Sequence, residues 1–190
     1  MMLKQLQIAL ILLVLNIGYG QEISVLLSST VYIPAGAQFN KIYGVNLAAS
    51  GSVEIELAKN VDIGIGLRYH NAHGTTSFTG ETSKLNIYLW NIMGRYRFHH
   101  EKYIPNIGIG FGSNLCKEIN SIGELTTASF GILIDGGART ELKEGLYLDT
   151  KMSYLFSRAK AENGWVDLGG LGLTVGVVMI FSTNLLSDVK

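Results

Sequence analysis

Residues 61–70 read VDIGIGLRYH, with Val61, Ile63, Ile65, Leu67 and Tyr69 on one parity and Asp62, Gly64, Gly66, Arg68 and His70 on the other. A period of two sends successive side chains to opposite faces of an extended strand, so this stretch is a strand whose two faces meet different surroundings. The pattern persists. Val45, Leu47, Val53, Ile55 and Leu57 oppose Asn46, Ser50, Ser52, Glu54 and Glu56. Phe130, Ile132, Ile134 and Leu142 oppose Ser129, Asp135, Gly137, Arg139 and Glu141. Leu146, Leu148, Met152, Tyr154 and Phe156 oppose Asp149, Lys151 and Ser153, and in the last such segment Leu171, Leu173, Val175, Val177, Met179 and Phe181 oppose Gly170, Gly172, Thr174 and Gly176. One row is almost purely apolar, and no helical period competes with it.

The pattern predicts eight strands, near Ile23 to Ile33, Ile42 to Leu57, Val61 to His73, Ser83 to Phe98, Tyr103 to Asn114, Thr126 to Leu142, Gly145 to Phe156 and Trp165 to Phe181. Their connections alternate in length. Ala58 to Asn60, His99 to Lys102 and Lys143 to Glu144 are tight turns, whereas Pro34 to Lys41, Gly74 to Thr82, Leu115 to Leu125 and Ser157 to Gly164 are longer polar loops. Bacterial outer-membrane barrels have this asymmetry, with short periplasmic turns and longer external loops. The fourth strand is irregular: Leu85, Ile87 and Leu89 share a parity, but Trp90, Ile92, Tyr96 and Phe98 take the other. A bulge near Tyr88 to Trp90 would restore a single frame.

Alternation alone leaves a soluble barrel and a membrane barrel both open. Composition separates them. Only 16% of residues are charged, against roughly 25% in an average soluble protein, and the polar row is built largely of Gly, Ser, Asn and Ala. A water-facing row would carry more Lys and Glu, while the bore of a narrow barrel needs small residues. The charges on the polar row nearly balance, with Glu54, Glu56, Asp62, Asp135, Glu141 and Asp149 against Arg68, Arg95, Arg97, Arg139 and Lys151. Confined charges have to be paired, so this set is the candidate site, a charge network inside the lumen. Aromatic residues gather toward strand ends, Tyr96, Phe98, Tyr103 and Phe181 at one end and Phe130, Phe156 and Trp165 at the other, as in an interfacial girdle. The expectation is an all-β, eight-stranded antiparallel up-and-down transmembrane β-barrel over residues 21–181, the apolar row facing lipid.

The flanks fit export. Lys4, an apolar run from Ile8 to Leu15, and Gly18-Tyr19-Gly20 read as a signal peptide over residues 1–20, cleaved after Gly20. That run is too short to span a bilayer as a helix, and elsewhere no stretch of 18 apolar residues occurs, so any membrane passage is by strands. Fifteen basic and fifteen acidic residues cancel and no basic cluster tracks phosphates, so nucleic acid is not an expected partner.

Two segments carry a resemblance. YIPNIGIGFG, Tyr103 to Gly112, resembles the proline-, aromatic- and glycine-marked strand of small bacterial outer-membrane barrel domains, the group that includes OmpA-, OmpX- and OmpW-like proteins. VDLGGLGLTVGVVMIF, Val166 to Phe181, is similar to that group's closing strand. The resemblance implies the eight-stranded barrel, a place in the bacterial outer membrane, contact with its lipids, and handling by the barrel-insertion machinery. In the group the closing aromatic usually ends the chain; here the tail of residues 182–190 follows Phe181.

Other chemistry is thinly represented. Cys116 has no partner cysteine and reads as a plain thiol. His70 and His73 fall on opposite parities, and His99 and His100 lie in a turn, so no zinc-ligand spacing arises. The glycines of GGLGLTVG lack the following helix and Lys of a phosphate-binding loop. No local motif joins Ser, His and an acid. No catalytic residue, metal ligand or cofactor site is expected. The leading functional expectation is a non-enzymatic barrel, structural or surface-interacting, whose salt-bridged polar lumen is closed and whose external loop partner the sequence leaves open. The alternative is an OmpW-like narrow channel for small hydrophobic solutes, and a membrane-embedded lipid-modifying enzyme stands third.

Overall fold

A computed structural model describes residues 22–75, 80–98, 100, 103–121, 123–161 and 164–182. The signal-peptide expectation for residues 1–20, His99 and the tail beyond Ser182 lie outside them. Strands β1 (Glu22–Pro34), β2 (Asn46–Ala58), β3 (Val61–Thr75), β4 (Thr82–Arg97), β5 (Tyr103–Asn120), β6 (Gly123–Lys143), β7 (Leu146–Ala161), β8 (Gly164–Asp167) and β9 (Gly170–Ser182) are joined in one antiparallel sheet, with helix α1 (Ala37–Tyr43) between β1 and β2. The sheet closes on itself through β1–β9, β9–β7 and β7–β6 pairing. The wall has eight strands, because β8 continues β9: Arg158↔Asp167 and Leu155↔Gly170 lie in one register. Regular strand lapses only at Leu168 and Gly169, where the Leu168 amide still donates to the Ser157 carbonyl in that register and its own carbonyl accepts from the Tyr32 hydroxyl.

Stagger fixes the bore. Followed around the wall from Phe130 through Ser113, Trp90, Leu67, Gly51, Leu27, Val177 and Leu148, the register returns to β6 at Thr140, ten residues along. With strands about 4.8 Å apart and a rise of about 3.3 Å per residue, that stagger tilts the strands by about 40° and leaves a lumen that side chains alone can fill. Glycine makes room in it: a Cβ at Gly64 would lie 2.6 Å from Glu54 Cγ, and one at Gly108 2.7 Å from Asp135 Oδ1. At the turn end, Asn60 (φ 69°) and Gly145 (φ 73°) take the left-handed conformation that tight hairpins require.

The fourth strand corrects the expected bulge. β4 pairs with β3 from Val61↔Tyr96 to Thr75↔Thr82, and with β5 from Arg97↔Asn106 to Lys84↔Ile119, in unbroken register on both sides. Leu85, Ile87 and Leu89 point inward and are buried, while Trp90, Ile92 and Tyr96 point outward and are exposed. The parity never slips; the surroundings change. Toward the loop end the interior becomes apolar, with Leu85, Ile87, Ala72, Cys116, Ala159 and Leu168 packed together, and the outward row becomes polar, with His73, Lys84, Arg158 and Lys160 exposed.

Helix α1 supplies the rest of that apolar plug and corrects the expected loop and start of the second strand. Phe39 and Tyr43, one turn apart, share its buried face with ring centroids 5.0 Å apart. The Tyr43 hydroxyl donates to Glu118 Oε1 at 2.8 Å and lies 2.8 Å from Ser83 Oγ, which fastens the helix to β4 and β5. Burial raises the ionisation range of that hydroxyl well above the ordinary tyrosine value. The expected loop from Leu115 to Leu125 is also corrected: β5 and β6 run on as a paired hairpin to Asn120↔Gly123. β6–β7 pairing stops at Gly131↔Ser157, so above that point the wall parts between them.

Candidate functional site

The turn-end half of the lumen holds the charges in two layers. At the rim, Arg97 of β4 reaches Glu22 Oε2 at 2.7 Å, Glu56 Oε1 at 2.9 Å and Asp62 Oδ1 at 3.1 Å. Glu56 also accepts from the Asn60 amide at 3.2 Å, tying the β2–β3 turn to this layer. One layer deeper, Glu54 lies between two guanidinium groups, with Arg95 Nη1 2.7 Å from one oxygen and Arg139 Nη2 2.5 Å from the other. Arg95 continues to Asp135 Oδ2 at 2.9 Å. Arg139, wholly buried, lies 3.5 Å from Asp149 and 4.0 Å from Asp62, and Lys151 Nζ is 2.8 Å from Asp149 Oδ2. Neither Asp149 oxygen is aligned for a hydrogen bond to these cations, so charge proximity holds it.

The structure brings together Glu54, Glu56, Asp62, Arg95, Arg97, Asp135, Arg139, Asp149 and Lys151 from β2, β3, β4, β6 and β7. It leaves two of the expected members out. Glu141 has the inward parity but lies past Arg139 at the water-exposed rim, with no ion pair among the described residues. Arg68 is buried higher in the lumen, away from the ion-pair layers. Glu22 is the member sequence reasoning missed. Its parity is that of Ser24 and Leu26, which would have placed it inside, but it sits next to the expected cleavage point and before the first apolar residue.

The remaining candidates stay apart. His70 Nδ1 is 3.2 Å from Asn46 Oδ1 and its ring meets Tyr32 edge-on at 4.7 Å, while His100 stacks on Tyr103 at 4.1 Å. Cys116 is a buried free thiol in the apolar plug. Among the described residues no group of three His, Cys, Asp or Glu is placed to hold a metal ion.

No protein-family model and no curated protein matches the sequence. Solved structures do match by shape. Neisserial surface protein A (NspA) aligns with a TM-score of 0.63 at 12% identity, covering 85% of this chain and 97% of that one. OprG, an outer membrane protein from Pseudomonas aeruginosa, aligns at 0.62 and 12%, covering 86% and 96%. Ail, the attachment invasion locus protein of Yersinia pestis, solved with the heparin analogue sucrose octasulfate, aligns at 0.55 and 12%, covering 86% and 100%. The fold is that of the small outer-membrane β-barrels.

In an outer-membrane barrel the exposed apolar row is the lipid face, and here it is bordered by aromatic residues. Tyr96, Phe98, Tyr103 and Phe181 border it at the turn end; Tyr69, Tyr88, Trp90, Phe130, Tyr154 and Phe156 border it toward the loop end. Trp165 lies higher still, on β8, and is 70% exposed. Ile65 sits midway between the borders on the outward row. Ile65→Arg is expected to cost about 2–4 kcal/mol by placing a cation at mid-membrane depth, read as a lowered urea midpoint in phospholipid vesicles. Arg at the rim position Leu57 is expected to cost far less.

Proposed function

We propose that this protein is a non-enzymatic barrel of the bacterial outer membrane with a structural or surface-interaction role and a lumen closed to solutes. The observation that carries the reading is the filling of the bore from both ends: buried ion pairs across the turn-end half, and the apolar plug with α1 across the loop-end half. A narrow lumen occupied by neutralised charges and packed apolar side chains has no continuous aqueous path. What remains to act on other molecules is the loop end, where the long β5–β6 hairpin and the β7–β8 hairpin extend past the closed wall. The same reading places outer-membrane lipids against the apolar row, and the barrel-insertion machinery upstream of the folded state. Ail was solved with a heparin analogue, which fits an interaction role for such barrels.

One observation favours an OmpW-like route for small hydrophobic solutes as a second reading. A crevice of about 70 Å³ lies where β6 and β7 part, lined by Phe39, Tyr43, Leu125, Ala159, Val166 and Leu168. For the lipid-modifying alternative, no serine is hydrogen-bonded to a histidine among the described residues. Single-channel recording in planar bilayers separates the first two readings. The closed lumen predicts a silent bilayer; steady openings that change with Arg95→Glu or Arg139→Glu would overturn it.

A further inference from the structure

Among the described residues, Arg68 is a buried cation with no carboxylate in ion-pair contact. In the deeper layer Glu54, Asp135 and Asp149 face Arg95, Arg139 and Lys151, three carboxylates against three cations, in mutual ion contact. At the rim Arg97 pairs with Glu22, Glu56 and Asp62, and the Glu22 and Glu56 side chains are 40% and 22% exposed, where water solvates them. Arg68 belongs to neither layer. It is 9% exposed, and among the described residues its side chain makes no ion pair and no hydrogen bond; its Nη1 is fully enclosed. A guanidinium held out of water requires a counter-charge and hydrogen-bond acceptors.

Its surroundings supply room and hydroxyls. A cavity of about 50 Å³ lies between the ion-pair layers and the apolar plug, and Arg68 lines it together with Ser28, Ser50, Ser153, Thr174 and Asn91. The Arg68 side chain crosses from β3 toward β9: a Cβ at Gly172 would lie 3.7 Å from Arg68 Nη1 and 2.6 Å from Ser153 Oγ, so both polar atoms converge on the space that this glycine leaves open. Ser153 Oγ, like Arg68 Nη1, has no hydrogen-bond partner. Glu54 and Asp135 also border the cavity, at its floor; Arg95 engages both, through a single oxygen of Asp135, whose Oδ1 has no hydrogen-bond partner and whose charge reaches Arg68. Tyr32, Leu89 and Leu155, all buried, lie on the loop side.

We propose that this chamber binds one small monovalent anion, chloride being the ordinary occupant, between the Arg68 guanidinium and the Ser153 hydroxyl. A cavity of this size holds a few waters or one halide. A single negative charge matches the one buried guanidinium that, among the described residues, lacks an ion-pair contact. Because ion pairs close one side and apolar side chains the other, the anion is captured as the barrel closes and exchanges slowly afterwards.

The test is to fold the full-length chain into detergent micelles in sodium bromide, remove free salt, and measure retained bromide by elemental analysis. About one bromide per barrel is expected in the wild type, falling at least tenfold when folding is done with excess chloride, and at least tenfold in Arg68→Met. Bromide at the buffer background, which would mean that water fills the chamber, overturns the proposal, as does equal retention by folded Arg68→Met. If Arg68→Met does not fold, crystals of the bromide-folded wild type decide. An anomalous peak within about 3.5 Å of Arg68 and Ser153, at hydrogen-bonding range, supports the site, and bromide found only elsewhere overturns it.

Discussion

Glu54→Leu is expected to remove about 3–5 kcal/mol of stability, the cost of stripping one partner from a buried ion cluster. Glu54 places one oxygen on Arg95 and the other on Arg139, and all three side chains are at most 4% exposed. Its loss leaves Arg95 with Asp135 alone, and Arg139 with Asp149 and a distant Asp62. The measurement is the urea midpoint of the barrel in micelles, with the denaturant slope unchanged so that the shift reports stability. Adding Arg139→Leu should cost less than the sum of the two single losses, because the second substitution removes a cation that the first left under-compensated. A loss below about 1 kcal/mol for Glu54→Leu, as an exposed pair would give, would mean that water reaches this layer and that the lumen is not sealed.

The wall of the barrel was legible in the sequence because a period of two is a direct image of a two-faced strand. Wherever both faces kept one environment, as from Leu148 to Tyr154, the expected inward and outward rows are those of the structure. Charge placement was legible for the same reason: Glu54, Arg95 and Arg139 each sit on the polar parity, and a narrow bore brings inward residues of opposite strands into contact. What parity could not give was height along the barrel. Arg68 and Glu141 share the parity of the network but lie above and below it, and only the ten-residue stagger of the closed sheet sets their level.

Helix α1 was hidden for a different reason. Seven residues make less than two full turns, too few for a 3.6-residue period to emerge, and Gly36 and Gly44 at its ends read as loop punctuation. Phe39 and Tyr43 one turn apart were the available signal, and in a segment taken to be a polar external loop they are out of place unless they are buried. The eighth strand hid its interruption at Leu168 and Gly169, because the register resumes unchanged on either side and the alternation carries no mark of it.

The fourth strand shows how one alternation can serve two solvents, and Leu89 is where the two accounts of it part. With a bulge between Tyr88 and Trp90, Leu89 would face lipid, and Leu89→Ala would exchange one lipid contact for another, since acyl chains flow into the space left. In the structure Leu89 is 1% exposed and packs with Met93, Leu133 and Leu155 inside the barrel. The same substitution is then expected to cost about 2–5 kcal/mol, because the surrounding wall cannot collapse onto the gap. The lipid-facing Leu67→Ala, on the neighbouring strand, provides the comparison: a large loss at Leu89 beside a small one at Leu67 is the signature of an apolar interior. Equal small losses would return Leu89 to the membrane face. The distinction reaches the loop end as a whole, because Leu85 and Ile87 share the orientation of Leu89. A strand that leaves the bilayer exchanges lipid outside for water outside, and so it must exchange a polar interior for an apolar one to keep a core. The passage of the apolar residues from the inward row at Leu89 to the outward row at Trp90 marks that boundary along β4.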